Sequence, residues 1–343
     1  MRTLTDGGQS AEDVAGWIAA FLAPARETLD LALYDVRVPG PAGDTIGDAL
    51  RAARDRGVAI RIAFNLDDTE WSRRGRFFPP PPHTQPELLR ALEVPIKGIP
   101  GEPDLMHHKY VVRDGTTVWT GSMNWTTDSF TRQENVLAVV DDAPVVAAFA
   151  RNFAELWEGG RVEDTGEWEV PGVWFTPGRG RELSQRIATR IGEARRRVRI
   201  ASPVLTTAPV MATLAERIAE GDLDIAGVSD GSQVRQVFSQ WRENERSRWK
   251  GPVLAQILSG APWSGKPSTP YAPDTVHDYM HAKMTVADDW VFLGSFNLSR
   301  SGELNAENVI EVRDAALADR MAGFIDEVRA RYPAIAVPPP ERL

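Results

Sequence analysis

His107-His-Lys109-Tyr-Val-Val-Arg-Asp114-Gly-Thr-Thr-Val-Trp-Thr-Gly121-Ser122-Met-Asn124 is answered in the second half of the chain by His281-Ala-Lys283-Met-Thr-Val-Ala-Asp288-Asp-Trp-Val-Phe-Leu-Gly294-Ser295-Phe-Asn297. Glu134-Asn135 follows the first copy and Glu307-Asn308 the second at nearly the same distance. The one-residue difference falls between Asp and Gly, where a turn absorbs a change of length most easily. A single His-x-Lys is a common accident. Two aligned copies are not, because the chain holds only five lysines and five histidines.

The sequence around both copies repeats as well. In the first half a helical period over 11–25 leads to an apolar strand, 29–36, then to a helix over 45–56 and a strand over 59–66. A closing helix is expected from 143 to about 157. In the second half a helix over 181–196, a strand over 198–203, a helix over 210–220 and a strand over 223–228 come in the same order. Strands alternating with helices predict an α/β fold: two similar lobes packed about a pseudo-twofold axis, with mixed sheets flanked by helices. The Gly-, Pro- and acid-rich stretch 159–178 marks the joint, giving lobes of 1–165 and 166–343. Two stretches read as long irregular loops on the rim of a shared mouth. They are 69–86, with Phe77-Phe78, Arg73, Arg74 and Arg76, and 247–273, with Trp249, Trp263 and Tyr271.

On a strand, residues i and i+2 share a face, so His107 emerges beside Lys109 and His281 beside Lys283. Ser122 with Asn124, and Ser295 with Asn297, stand the same way on the following strands and supply neutral donors. Two such sets facing each other surround an anion with two ammonium groups and four polar side chains, an arrangement suited to a phosphate and its transition state. One imidazole attacks phosphorus to give a covalent phosphohistidine, while the other protonates the leaving oxygen and then activates water. No metal or other cofactor is called for. Each imidazole needs its second nitrogen held, and the expected holders are Glu134 for His107 and Glu307 for His281. Asp114 and Asp288 stand at turns between apolar strands and are read as structural. His108 points away from His107 and is read as packed. A metal pair at His277 and His281 lacks a third ligand.

The paired His-x-Lys-x4-Asp pattern, each copy followed by Gly-Ser-x-Asn, resembles the phospholipase D superfamily, and the similarity in order of elements extends over most of the chain. The resemblance implies two α/β lobes with the active site between them, a metal-independent phosphohistidine mechanism, His107 as nucleophile and His281 as general acid. The run Gly121-Ser-Met-Asn-Trp-Thr-Thr127 is also similar to single-motif members acting on nucleic acid or cardiolipin. Both motifs lie in one chain here, so a monomer suffices.

The remaining composition narrows the partners. The absence of cysteine excludes disulfides, thiolate metal sites and a Cys nucleophile. A net charge of -9 disfavours a surface built to grip long nucleic acid. Hydrolysis of a phospholipid, or transfer of its phosphatidyl group to an alcohol, is therefore the first expectation, and a nuclease with the same two histidines the alternative. The chain has no run of about 18 apolar residues to span a bilayer, which leaves peripheral membrane contact. No signal-type segment opens the sequence, so a cytoplasmic protein is expected.

Overall fold

The computed structural model describes residues 1–66, 89–101, 104–163, 165–269 and 276–339. Seventeen strands appear among them. The first nine are β1 (Arg2–Leu4), β2 (Thr28–Leu33), β3 (Val36–Arg37), β4 (Ala59–Leu66), β5 (Ile96–Pro100), β6 (Lys109–Arg113), β7 (Thr117–Gly121), β8 (Trp125–Thr126) and β9 (Gln133–Val140). The other eight are β10 (Val173–Thr176), β11 (Arg197–Ala201), β12 (Asp224–Asp230), β13 (Trp263–Lys266), β14 (Tyr279–Met280), β15 (Met284–Ala287), β16 (Trp290–Gly294) and β17 (Glu307–Arg313).

The two principal sheets have one plan. The first runs β1-β9-β7-β6-β2-β4-β5 and the second β10-β17-β16-β15-β11-β12-β13, so strands correspond one to one. In each, a parallel trio (β2, β4, β5; β11, β12, β13) continues into antiparallel strands, which makes both sheets mixed. The parallel strands are joined by helices, Pro41–Asp55 between β2 and β4 and Ala208–Glu220 between β11 and β12, as crossover connections require. This is the α/β architecture with two like halves that the repeat predicted.

Each half has its own apolar cluster, and two further clusters draw on both. One joins Tyr110, Phe149 and Phe153 to Phe175 and Ile310; the other joins Val136 and Ala138 to Met284, Leu293 and Phe324. Phe149 meets Phe175 edge-on at 5.1 Å between ring centroids. Burying aromatic side chains of this size contributes roughly 2–3 kcal/mol each, so the two halves are fastened through a common interior.

Helix termini follow the capping rules more closely than the periodicity did. The helix expected over 45–56 begins at Pro41, whose fixed φ and missing N–H suit the first turn. The segment expected as strand 29–36 ends at Leu33, Val36 instead pairing with Trp125 in a separate two-stranded ribbon. The stretch 247–273 is not one irregular loop. It contains the helix Lys250–Gly260 and strand β13, and Trp263 is buried, its indole N–H donating to Ser229 Oγ at 3.0 Å. Trp263 is therefore core and cannot form an apolar rim, whereas Trp249 is exposed. The expectations for Phe77, Phe78, Tyr271 and the arginines at 73–76 lie outside the described residues.

Two features explain letters of the repeated motif. Asp114 and Asp288 have φ of 52° and 51°, a region where Asp is better tolerated than most residues. The Asp114 carboxylate accepts the backbone N–H groups of Arg26, Glu27 and Thr28, and Asp288 those of Arg195, Arg196 and Arg197. Each ties the hairpin turn to the start of the neighbouring central strand. Asp114→Ala should lower stability by about 2 kcal/mol, since it removes partly solvated charge-assisted bonds and places alanine at positive φ. Urea unfolding checks this; an unchanged midpoint would contradict it. Gly121 and Gly294 are required by close approach, because a Cβ would lie 2.1 Å from Val136 O in the first half and 2.0 Å from Asn308 O in the second.

Candidate active site

The two motifs meet. His107, Lys109, His281 and Lys283 are all buried, and the charges of Lys109 and Lys283 act on both imidazoles. The ammonium of each lysine donates to the backbone carbonyl of its own histidine, Lys109 Nζ to His107 O at 2.6 Å and Lys283 Nζ to His281 O at 2.8 Å. That leaves donors on each ammonium for a ligand.

The support of the histidines differs from the expectation, and the difference is instructive. His107 Nδ1 donates to the carboxylate of Glu307 at 2.8 Å, across the two halves, and not to Glu134. His281 Nδ1 donates to Asn135 Oδ1 at 3.0 Å and not to Glu307. The cause is a crossing of chains. The segment before each histidine leaves its own sheet and pairs with the Glu-Asn strand of the other half, Met106 opposite Ala306 and Met280 opposite Glu134. The registers of these two crossings differ by one residue, because Ala306 precedes Glu307 whereas Met280 already faces Glu134. A one-residue step changes which side chain meets the next residue. His107 thereby meets a carboxylate and His281 an amide.

Glu134, displaced from the histidines, lies among charges. It accepts from Lys266 Nζ at 3.1 Å and from the hydroxyl of Tyr332, while the same ammonium reaches Asp6 at 3.1 Å and Asp278 at 2.5 Å. This cluster joins β9 of the first half to β13 of the second.

The serines also differ from their expected role. Ser122 Oγ donates to Asn135 Oδ1 at 2.8 Å, and the Ser295 hydroxyl bonds the Glu307 carboxylate, so each braces the residue that holds a histidine. Asn124 and Asn297 remain partly exposed, and the side-chain oxygen of each is without a partner. His108 is fully buried, with Nδ1 against Asn308 Oδ1 at 3.1 Å and its ring 5.0 Å from that of Tyr110. His277 stacks on Tyr279 at 5.4 Å. Asn135, Asn308 and Tyr34, whose ring lies 4.5 Å from His107, belong to the site, and their roles were not read from sequence. The repeated Glu-Asn dipeptide carried the signal for both asparagines in its second letter.

Burial sets the electrostatics. It holds both imidazoles, His107 and His281, well below the usual histidine range, with the two lysine charges adding to the effect. It lowers Lys109 to about 7 and holds Lys283 well below the ordinary lysine value. Burial pushes Glu307 up to about 7 against the pull of Lys109 and the Ser295 hydroxyl. Neutral imidazoles and two lysines whose charged forms burial disfavours describe a site that gains when an anion enters.

Comparison with known proteins identifies the family. A family model described as the cardiolipin synthase PLD-like domain matches residues 18–157 and again 187–328. The chain belongs to the phospholipase D-like family. Curated relatives of this phospholipase D-like chain include the mitochondrial cardiolipin hydrolases of Homo sapiens, 32% identical over 152 residues, and of Xenopus laevis, 29% identical over 134. The alignments cover 44% of this chain and 52% of the human protein, and 39% and 56% for the frog protein. The chain thus spans about half the length of the curated relatives it matches. Among solved structures, the phosphatidylserine synthase of Haemophilus influenzae Rd KW20 superposes with a TM-score of 0.61 at 13% identity, covering 96% of this chain and 85% of that one. The polyphosphate kinase of Porphyromonas gingivalis gives 0.59 at 15% identity, over 96% of this chain and 50% of that one. Both show the fold. Among the described residues no helix is long and apolar enough to cross a membrane.

Proposed function

We propose that the chain is a phosphodiesterase that cleaves phospholipid headgroup esters through a covalent phosphohistidine. The observation that carries the reading is the His107–Glu307 bond at 2.8 Å beside two buried lysines. The carboxylate fixes the Nδ1–H tautomer, so the Nε2 lone pair faces the phosphate and is made more basic, as a nucleophile needs. His107 Nε2 attacks phosphorus as the bond to the leaving oxygen breaks. His281 Nε2 gives its proton to that oxygen. It then takes a proton from water, which displaces His107 and releases the phosphomonoester; an alcohol in place of water gives transfer. Lys109 and Lys283, with the Asn124 and Asn297 amides, neutralise the equatorial oxygens throughout. The phosphodiester anion arriving between the lysines reverses the local field and lets His281 hold its proton.

A lipid substrate is favoured by the names of the relatives, cardiolipin hydrolases, and by the acidic net charge of -9. The test is a panel of cardiolipin, phosphatidylglycerol and phosphatidylcholine vesicles beside single-stranded DNA, double-stranded DNA and RNA, each with and without EDTA. Lipid cleavage that survives the chelator is expected. Cleavage of nucleic acid alone would replace this reading with a nuclease using the same histidines.

Two groups with pKa values brought close to 7 shape the pH profile, beside His281 and Lys283, which burial also pushes down. Glu307 must be ionised to accept the His107 proton, and Lys109 must be protonated to meet phosphate. With Glu307 pushed up to about 7 and Lys109 down to about 7, kcat/KM should be a narrow bell centred near neutrality. Protonation of Glu307 produces the acid limb and deprotonation of Lys109 the alkaline limb. Glu307→Gln should abolish the acid limb and lower the maximum. An acid limb unchanged in that variant would dismiss Glu307 as its source.

A further inference from the structure

Lys109 and Lys283 hold matching places in the two motifs, yet their surroundings differ. Leu33 stands opposite Lys109 and Tyr34 follows it; in the second half Ala201 stands opposite Met284, which makes Pro203 the counterpart of Tyr34. The Lys109 ammonium lies over the Tyr34 ring, 4.6 Å from its centroid. A proline offers Lys283 no aromatic face in return.

Tyr34 is gripped on both sides. Its backbone N–H donates to His108 O at 2.8 Å, extending the β2–β6 ladder past Lys109. The carbonyl of the next residue, Asp35, accepts the N–H of Trp125 at 3.1 Å, and Val36 pairs with Trp125 in the β3–β8 ribbon. Trp125 directly follows Asn124. The Tyr34 ring also packs edge-on against that of His107, with centroids 4.5 Å apart and planes at 63°. Both parts of the first motif, the His-x-Lys strand and the Gly-Ser-x-Asn turn, therefore set its place.

Charge shows what the ring contributes. Burial drives Lys109 towards the neutral amine and leaves it at about 7, although the carboxylates of Glu307 and Asp35 pull the other way. Lys283 and Lys109 repel each other, and the imidazoles of His107 and His281 are held neutral. A further carboxylate would favour the ammonium but would also repel an incoming phosphate. The face of an aromatic ring attracts a cation through its quadrupole, most strongly where water is excluded, and carries no net charge to oppose an anion. Lys109 is 2% exposed, which meets that condition. One of its protons goes to His107 O, so the ring and that carbonyl together fix where the remaining donors point.

We propose that Tyr34 is a positioning residue that keeps the Lys109 ammonium charged and aimed at the phosphate, which makes Lys109, and not Lys283, the lysine that first receives the anion. The inference rests on the phosphodiesterase reading above for its ligand and not for the contact itself.

The test grades the ring without changing its shape. Fluorinated phenylalanines placed at position 34 weaken the quadrupole step by step, with Tyr34→Phe as the reference. Lysine-selective ¹³C labelling leaves only five side chains to follow, and the Lys109 signal is the one lost in Lys109→Arg. Without substrate, the Lys109 titration should move down with each fluorine, by about one pH unit for the fully fluorinated ring. Lys283, relieved of repulsion, should move up. Tyr34→Phe should match the unaltered protein. With substrate, the alkaline limb of kcat/KM should move down in parallel with Lys109. A Lys109 titration indifferent to fluorination, or a Tyr34→Phe shift as large as that of the fluorinated ring, would overturn the proposal. So would both lysines moving up together, since that marks entry of water. Lys109 moving as expected in a protein that cleaves no diester would overturn the proposed reaction and leave the hold of Tyr34 on Lys109 standing.

Discussion

His107→Ala is expected to lower turnover by about 10⁴-fold or more on every substrate, because in the proposed reaction it removes the atom that bonds to phosphorus and residues acting as a unit share the whole effect. His281→Ala should be equally damaging on an alkyl phosphodiester and much less so on a p-nitrophenyl ester. Nitrophenolate leaves without a proton, so the first step then dispenses with the acid. The diagnostic outcome is a burst of nitrophenolate equal to one per protein from His281→Ala, followed by arrest, with phosphate attached to the chain. His107→Ala should give neither burst nor attachment. A burst from His107→Ala, with none from His281→Ala, would invert the assignment and with it the meaning of the Glu307 contact.

The second large effect concerns stability. Lys266 is 1% exposed and faces Glu134, itself fully buried, together with Asp6 and Asp278. Lys266→Met would leave these carboxylates with the Tyr332 hydroxyl and the Asp6 N–H on Glu134, and with Arg132, which reaches Asp6 at 2.7 Å and Asp278 at 3.4 Å. Breaking one side of a buried ionic cluster costs about 3–5 kcal/mol. Denaturant unfolding should register a loss of that size, and Lys266→Met combined with Glu134→Gln should recover part of it. A loss below about 1 kcal/mol would mean that water reaches the cluster and screens it.

Much of this was legible in the letters because the site is built from a repeat. Two copies of His-x-Lys and Gly-Ser-x-Asn identified both strands of each half, and the matched order of strands and helices predicted two like sheets. The partners of the histidines were not legible. Spacing within one half ties Glu134 to His107, but the strands that hold the imidazoles cross between halves, and pairing at long sequence separation leaves no local period. Nor could spacing reveal the one-residue register difference that gives His281 an amide. Trp263 was misplaced for a simpler reason. Gly and Pro around it imitate a loop, while its burial depends on Gly227, where a Cβ would lie 2.5 Å from the indole.

Lysine usage gives the same lesson at the level of composition. Of the five lysines, Lys109, Lys266 and Lys283 are buried, while arginine supplies most of the surface ion pairs. A compact ammonium is kept where charge must answer to a ligand or a buried carboxylate, whereas most guanidinium groups stay at the surface, Arg179 and Arg199 being buried.

The crossing of the two histidine segments makes the two halves of the candidate site unlike. A strictly twofold scaffold would accept a diester either way round and cut either of its arms. If His107 is the nucleophile and His281 the acid, as proposed, the arm that departs is the one lying towards His281, and the arm retained on phosphorus lies towards His107. Under that assignment a single step of strand register decides which product leaves first, and turns a symmetrical duplication into a one-way path.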